Sequence, residues 1–313
     1  GMFVADQSGG SFKFRPSAAS LDWPISFGRN IPSTFSGSIL WWKSADDWVL
    51  AAKEMRWQGD GMQADIDMQL LFYADKRKPM LNVAARLASF DFTTAKRFWL
   101  RHIMTPNLMQ WLDMALVKGR ALNPSIVIAG DLEHWPFADK HGRFSARTTI
   151  EAEQFKFLKD WPAADNALLN ADFNGPGFSV TGKADYMGNA LTLGPSGIAR
   201  FKEAELLLDI DSESSMQALM PVVNGTPLKQ TLGESVYSLQ GEGPVAVHVG
   251  MQFPLKAVNH EKEIDGSIDF KGTAIRAPLW KLAMQQAKGK ASFTQQGFYA
   301  RELSGLIDGN PVK

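Results

Sequence analysis

Hydrophobic and polar residues alternate with a period of two along much of the chain. Across residues 62–73 the even-numbered positions are apolar, whereas most odd-numbered positions are polar. Successive side chains of a strand point to opposite faces of a sheet, so this pattern predicts a strand with one apolar face. A polar turn at residues 74–79 and a second alternating run at 81–87 predict an antiparallel hairpin.

The same alternation predicts further strands, and only short stretches have helical spacing. The additional strands are predicted at residues 144–152, 169–173, 206–211, 245–253 and 264–270. A helix pair is predicted at 93–103 and 105–118, with Thr105 as N-cap, and a short helix at 214–219 that Pro221 ends. Residues 44–55 fit either a capped helix or a strand.

These elements predict a mainly β fold built on a long antiparallel sheet with a few short helices. Three blocks follow from the order of the elements. Residues 1–120 are strands that end in a helix pair, 121–225 are strands that end in a short helix, and 226–313 are strands. Because no linker-like sequence separates the blocks, we expect one continuous structure rather than separate domains.

Composition and charge exclude several classes of function. The chain has 33 basic and 33 acidic side chains, and this zero net charge argues against nucleic acid as a partner. It has no cysteine, which excludes disulfides, thiol catalysis and thiolate metal sites. No apolar run is long enough for a membrane-spanning helix. The start at Gly1 and Met2 has no signal-peptide features, and we expect the chain to be a piece of a longer protein.

The residues with catalytic potential form no recognisable motif. Glu133, His134, Asp139 and His141 are the one local cluster that resembles a metal site, but their spacing matches no ligand pattern, so we expect a polar loop. Phosphate-loop and dinucleotide fingerprints are absent from the sequence. We therefore expect no enzyme activity, no cofactor and no metal.

Two other polar motifs have ordinary structural explanations. Residues 209–213 resemble a calcium loop, but they lack its glycine and its terminal glutamate, and a strand leading into a helix N-cap is expected instead. The basic residues 76–78 are expected to be a solvated hairpin tip, and His248 a solvated residue on a polar strand face.

The apolar strand faces remain as the candidate functional feature. Their members share the apolar phase of their strands and are expected to line one continuous surface. They are Met62, Ile66, Met68, Leu70, Phe72, Leu206, Leu208, Ile210, Val245, Val247, Val249, Met251 and Phe253. A closed sandwich core is the simpler explanation of such faces, whereas adaptable methionines suit a surface for flexible apolar ligands.

An ordered set of short motifs between about residues 40 and 310 gives the chain a specific resemblance. The motifs lie at residues 111–119, 128–132, 135–137, 142–144, 161–162, 220–228, 241–243 and 253–255. In this order and spacing they resemble the YhdP family of AsmA-like proteins, which are related to the TamB type. The resemblance favours a strand at 48–57 and supplies no catalytic residue.

The resemblance implies a fold, a location and a function. Proteins of this family are large, mostly periplasmic and anchored in the inner membrane by an N-terminal helix. They are regarded as bridge-like lipid-transfer proteins in which a long curved sheet forms an open groove for phospholipid acyl chains between inner and outer membranes. The present chain would be an internal segment without the anchor, and it would reach both membranes through the rest of its parent protein.

Two other classes of function stay open on sequence grounds. The chain could be a non-catalytic β-scaffold that holds protein partners in envelope biogenesis around a closed core. It could also be a carbohydrate-active enzyme on a β platform that uses carboxylates such as Glu133 and Asp139. Replacing Glu133, His134 and His141 together with alanine is expected to leave a lipid-related function intact.

Overall fold

A computed structural model describes residues 1–22, 24–101, 104, 106–203, 205–232, 234–254 and 263–313. Within these ranges the fold is mainly β, with antiparallel strands and short helices, which confirms the predicted fold class. The chain separates into two compact units. Unit 1 contains residues 1–151 and 170–178, and unit 2 contains residues 152–169 and 179–313. The three blocks at 1–120, 121–225 and 226–313 stay a prediction.

Unit 1 is built from successive antiparallel strands. They are β1 Met2–Ala5, β2 Gly9–Asp22, β3 Asn30–Ser44, β4 Asp47–Gly59, β5 Met62–Phe72, β6 Met80–Leu87, β7 Phe90–Asp91 and β8 Leu116–Asp131. Each of β1 to β5 pairs with the next strand, and β8 pairs with both β6 and β7. The predicted hairpin at 62–87 and the strand at 48–57 are confirmed as β5 with β6 and as β4.

Three of these strand pairs contain an irregularity at the same level. The register shifts between Phe14 and Ser17 where β2 meets β3, between Ser36 and Ser38 where β3 meets β4, and between Ala52 and Met55 where β4 meets β5. Glu54 adopts a left-handed conformation there with a φ of 51°, and its backbone N–H donates to Asp67 Oδ1 at 3.0 Å. The extra residue lets Met55 and Trp57 return to the apolar face of β4.

A short segment covers one end of the unit 1 sheet. This Phe98 segment, residues 90–98, consists of β7, the helix α2 at Phe92–Ala95 and the 3-10 turn Lys96–Phe98. Phe98 and the partly buried Phe27 pack against a buried cluster that includes Trp57 and Met62. Asp60 fixes the segment from the side, because it accepts from Arg97 Nη1 at 2.7 Å and also pairs with Arg29.

Unit 2 repeats the antiparallel arrangement. Its strands are β12 Asn189–Ile198, β13 Glu205–Ser215, β14 Gln240–Glu242, β15 Pro244–Pro254, β16 Glu263–Ala277, β17 Leu282–Thr294, β18 Gly297–Ala300, β19 Ser304–Ile307 and β20 Asn310–Val312. β13 pairs with β12 and β15, and β16 pairs with β14, β15 and β17. The predicted strands at 206–211, 245–253 and 264–270 are confirmed as β13, β15 and β16.

Three further strands have residues in both units. They are β9 Gly142–Phe155, β10 Ala164–Asn174 and β11 Gly177–Tyr186. The predicted strands at 144–152 and 169–173 are confirmed as parts of β9 and β10.

The helices are short, and three of them correct the predicted boundaries. They are α1 Pro24–Phe27, α2, α3 Pro106–Ala115, α4 Met216–Gly225, α5 Leu228–Thr231 and α6 Glu234–Tyr237. The helix predicted at 93–103 turns into a 3-10 turn that ends at Phe98, and α3 gives way to β8 at Leu116 instead of continuing to residue 118. Thr105, His102 and His260 lie outside the described residues. Within the described part of the chain, no helix has the length and apolar character that a membrane crossing requires.

The helix α4 begins as predicted but extends further. The Ser215 side chain caps it by accepting from the Ala218 N–H at 3.3 Å, which confirms that the strand through residues 209–213 leads into an N-cap. Pro221 was expected to end this helix, yet the helix continues to Gly225. A proline inside a helix removes one backbone hydrogen bond, and here the rest of the helix tolerates that loss.

Candidate functional site

The strand registers of unit 1 bring apolar side chains from seven strands onto one face of the sheet. One row of directly paired residues crosses seven strands of the unit. It consists of Phe3, Phe12, Ile39, Ala52, Met68, Val83 and Ile128. Trp41, Leu50, Leu70 and Leu81 form the next row. We call this surface the unit 1 apolar face, and it contains the predicted residues Met62, Ile66, Met68, Leu70 and Phe72.

Exposure along the unit 1 apolar face rises from one end to the other. Met62 is 6% exposed under the Phe98 segment, Ile66, Met68 and Leu70 are half-buried, and Phe72 is 45% exposed. Trp48, which pairs with Phe72 across β4 and β5, is also exposed. Large apolar side chains therefore remain accessible to a ligand at the end of the face that the Phe98 segment does not cover.

Unit 2 has a corresponding surface on β13, β15 and β16. Leu206, Leu208 and Ile210 lie directly opposite Phe253, Met251 and Val249, and Val245 and Val247 lie opposite Phe270 and Ile268. All eight residues predicted in this part of the sequence therefore share one sheet face. We call this surface the unit 2 apolar face.

The unit 2 apolar face is covered at both ends of β15 and more open in the middle. Val245 is 1% exposed beside the buried Phe270, and Phe253 is 7% exposed beside Trp161, with ring centroids 6.4 Å apart. Val247 and Val249 between them are half-buried. The middle of the face is thus the part of this surface that a ligand can reach.

Glycines on these faces make room for aromatic rings of the neighbouring strand. A Cβ atom built on Gly10 would lie 2.4 Å from Trp41 Cζ2, and one built on Gly266 would lie 2.3 Å from Phe293 Cζ. Each glycine pairs directly with the residue that carries the ring. The two rings therefore lie over the backbone of the next strand. A side chain at position 10 or 266 would prevent this arrangement because it would overlap with the ring.

The opposite face of the unit 2 strands is polar. Asp209 and Asp211 on β13, His248 on β15 and Asp265 on β16 project there. His248 Nδ1 lies 3.0 Å from Asp211 Oδ1 and 3.6 Å from Asp209 Oδ1, and its side chain is half-exposed, as predicted. An apolar face and a solvated face thus occur on the same strands.

The loop between β8 and β9 brings together three of the four residues that form the local cluster noted in the sequence. His134 Nδ1 and His141 Nδ1 lie 2.6 and 3.2 Å from the same atom, Asp139 Oδ2, and the two imidazole rings stack with centroids 4.9 Å apart. The backbone N–H of His141 donates to Asp139 Oδ1 at 3.0 Å. This bond, together with the neighbouring imidazoles, lowers the pKa of Asp139 to about 2.

Glu133 in the same loop is directed elsewhere. Its Oε1 accepts from the Lys78 backbone N–H at 3.1 Å, and its Oε2 lies 3.7 Å from Lys78 Nζ. Glu133 and Asp139 therefore have separate partners. Lys76 and Arg77 lie at the exposed tip between β5 and β6, where the Arg77 guanidinium stacks 3.6 Å from the centre of the Tyr73 ring.

Several residues of the two faces were not among the candidate site residues predicted from the sequence. Phe12, Trp41, Leu50, Ile268 and Phe270 lie beside the predicted residues on the same surfaces. Polar neighbours on both sides of Phe12, Ile268 and Phe270 were the available signal, whereas Trp41 and Leu50 have apolar neighbours and give no such signal. Pairing partners are set by turn lengths and by the irregularities at Gly37 and Glu54, which the alternation alone does not locate.

Comparison with known proteins places the chain in a family. No solved structure shows a significant match. Over 236 residues the chain is 24% identical to the intermembrane phospholipid transporter YhdP of Escherichia coli strain K12, an alignment that covers 75% of this chain and 18% of that relative. The chain thus spans less than a fifth of the relative's length. The model of the YhdP protein family matches residues 1–313, and the chain therefore belongs to the YhdP family.

Proposed function

We propose that this chain is a segment of a periplasmic protein that transports phospholipids between the inner and outer membranes and supports the outer-membrane barrier. In this proposal the two apolar faces shield acyl chains from water. The observation that carries the proposal is the unit 1 apolar face, where paired apolar residues cross seven strands and remain accessible at one end. Family membership and the transporter relative support it.

The proposed ligand contacts are the residues of the two faces. In unit 1 they are Met62, Ile66, Met68, Leu70 and Phe72, and in unit 2 Leu206, Leu208, Ile210, Val245, Val247, Val249, Met251 and Phe253. The half-buried members and the exposed Phe72 are the proposed direct contacts, and the buried members of the same faces support them. The buried members are Met62, Leu206, Val245, Met251 and Phe253. Burial of an acyl chain contributes about 0.8 kcal/mol per CH₂ group to binding. Such contacts do not fix the position of the acyl chain along the surface.

Non-directional contacts suit a ligand that moves along a surface. Hydrogen bonds would hold a lipid at one position. Apolar contacts are instead replaced by equivalent ones as the acyl chain slides along the surface. The proposed role requires neither a catalytic residue nor a cofactor. The partners proposed here are phospholipid acyl chains, and both membranes through the rest of the parent protein.

A scaffold for protein partners is the second candidate. It is favoured by the burial of Val245 and Phe253, because a face that is covered at both ends resembles an ordinary core. The two candidates differ in what a charge does in the middle of the face. On an open surface an aspartate stays hydrated, whereas in a closed core it is buried without a partner.

The deciding experiment combines lipid crosslinking with thermal unfolding. Met68→Asp and Val247→Asp place a charge at half-buried positions, so we expect a photoactivatable phospholipid to lose its crosslink to each variant while Tm stays near that of the parent chain. Val245→Asp buries the charge and should destabilise the chain by about 3–5 kcal/mol. Gln69→Asp on the exposed opposite face of β5 is the matched control and should change neither readout.

The same experiment separates the outcomes clearly. Absence of a crosslink in the parent chain, together with a large fall in Tm for Met68→Asp and Val247→Asp, would favour the closed scaffold. Mass spectrometry of lipid extracted from the purified chain provides an independent measurement, and we expect phospholipid in the extract.

A further inference from the structure

The His134, Asp139 and His141 side chains present three potential metal ligands at one point of the surface. Their ligand atoms all lie within 4.8 Å of one another. Two imidazole nitrogens and a carboxylate oxygen are a donor set that suits zinc and related first-row divalent ions. We propose that these three residues form a binding site for such an ion, separate from the apolar faces.

The distances between the donors are close to those that a bound ion needs. Zinc lies at about 2.0–2.2 Å from nitrogen and oxygen ligands, so tetrahedral donors are separated by about 3.3 Å. Asp139 Oδ2 is 3.2 Å from His141 Nδ1 and 2.6 Å from His134 Nδ1. A displacement of less than 1 Å at His134 brings this pair to the same separation, and the ion binds the deprotonated ring nitrogens.

The surrounding loop holds the ligands in place. Phe137, between His134 and Asp139 in sequence, is 4% exposed, and its ring contacts Trp135, with centroids 5.5 Å apart. Trp135 also contacts Phe144 on β9 at 5.3 Å. The His141 N–H occupies Asp139 Oδ1 and leaves Oδ2 for the ion. The three ligands are themselves exposed, so water can complete the coordination.

A second group of ionisable residues in the described part of the chain serves as an internal comparison. Asp209, Asp211 and His248 also bring their ligand atoms within 4.8 Å. This group offers one imidazole instead of two, and carboxylates suit harder ions than zinc. His248 is therefore the control position for a site that depends on paired imidazoles.

The test is a calorimetric titration of the full chain with Zn²⁺ after treatment with a chelator and removal of the chelator. We expect saturable binding of one ion. His134→Ala and His141→Ala should each weaken it about tenfold or more, because the loss of even an outer-shell partner costs that much. His248→Ala should bind with unchanged affinity. Cobalt(II) provides a second readout, since its visible absorption reports the ligands directly.

The result that would overturn the proposal is equally specific. Absence of saturable binding would do so, as would binding that His248→Ala removes and His134→Ala leaves unchanged. His141→Asn is a conservative second variant, and circular dichroism verifies that each variant is folded. Because these side chains are exposed, the substitutions should preserve the fold.

Discussion

At the scale of single residues, the buried Tyr186 hydroxyl on β11 is an exception to the usual pairing of polar groups. Within the described residues it has no hydrogen-bonding partner, and its ring packs near Phe157, with centroids 6.1 Å apart. Burial raises the pKa of Tyr186 from 10.0 to about 12. The hydroxyl is thus a polar atom that folding removes from water without a replacement bond.

Tyr186→Phe is expected to stabilise the chain by about 1 kcal/mol at neutral pH, because it removes this unpaired hydroxyl. In the parent chain the unfolded state releases the tyrosine proton above pH 10, while the folded state keeps it until about pH 12. Titration of Tyr186 therefore leaves the free energy of unfolding of the parent chain unchanged below pH 10 and lowers it as the pH rises from 10 to 12. Urea unfolding of both chains across this range measures the difference, and equal pH slopes would contradict it.

Single residues also mark where inference from sequence ends. Alternation correctly assigns Met68 and His248 to opposite kinds of strand face, because the side-chain period of a strand is fixed. It does not reveal that His134 and His141 stack, since that contact depends on the path of the loop through Trp135 and Phe137. Loop geometry follows from tertiary packing, which a local pattern does not contain.

At the scale of elements, the Phe98 segment determines how much of the unit 1 apolar face is covered. Phe98 contacts Phe27 and Trp57 edge to face, with centroids 5.9 and 5.6 Å apart. Arg29 lies over the same ring at 5.8 Å. The segment is joined to the sheet by these ring contacts and by the ion pairs of Asp60.

Phe98→Ala should lower the free energy of unfolding by about 2–3 kcal/mol, somewhat less than a fully buried phenylalanine, because the ring is only partly buried. Leu279→Ala removes a comparably apolar but exposed side chain and should change stability by less than about 0.5 kcal/mol. Chemical denaturation of the two variants measures the contrast. Similar losses in both would show that the segment does not stabilise the unit.

Element boundaries illustrate why part of the fold could not be predicted. The residues of β4 on the unit 1 apolar face are Trp48, Leu50 and Ala52, followed after the irregularity by Met55 and Trp57. Residues 44–55 fitted both a helix and a strand because a possible cap at 44–47 precedes an apolar run. The step of three from Ala52 to Met55 also breaks the alternation that would have indicated a strand. A bulge changes the local period, and its position depends on the partner strand.

At the scale of the whole molecule, charge balance sets the expected response to salt. With 33 basic and 33 acidic side chains the chain has no net charge to attract an anionic ligand over a distance. Apolar contacts with acyl chains are not screened by ions. We therefore expect phospholipid binding to change less than about twofold between about 0.01 and 0.1 M NaCl, although the Debye length falls from about 30 to about 10 Å.

Vesicles of neutral and of anionic phospholipid provide the comparison for this salt series. Retention of labelled lipid by the purified chain is the measured quantity. A loss of about tenfold with rising salt, confined to the anionic lipid, would instead indicate that head groups supply most of the affinity.

Trp41 and Phe293 lie down over the glycines of neighbouring strands instead of standing up from the sheet. At these positions the ring occupies the space that a side chain of the neighbouring strand would fill, and Phe293 is only 6% exposed there. A side chain at position 10 or 266 would displace the ring and change the shape of the apolar face at that point. Glycine at these two positions therefore lets an aromatic ring of the neighbouring strand pack closely against the sheet.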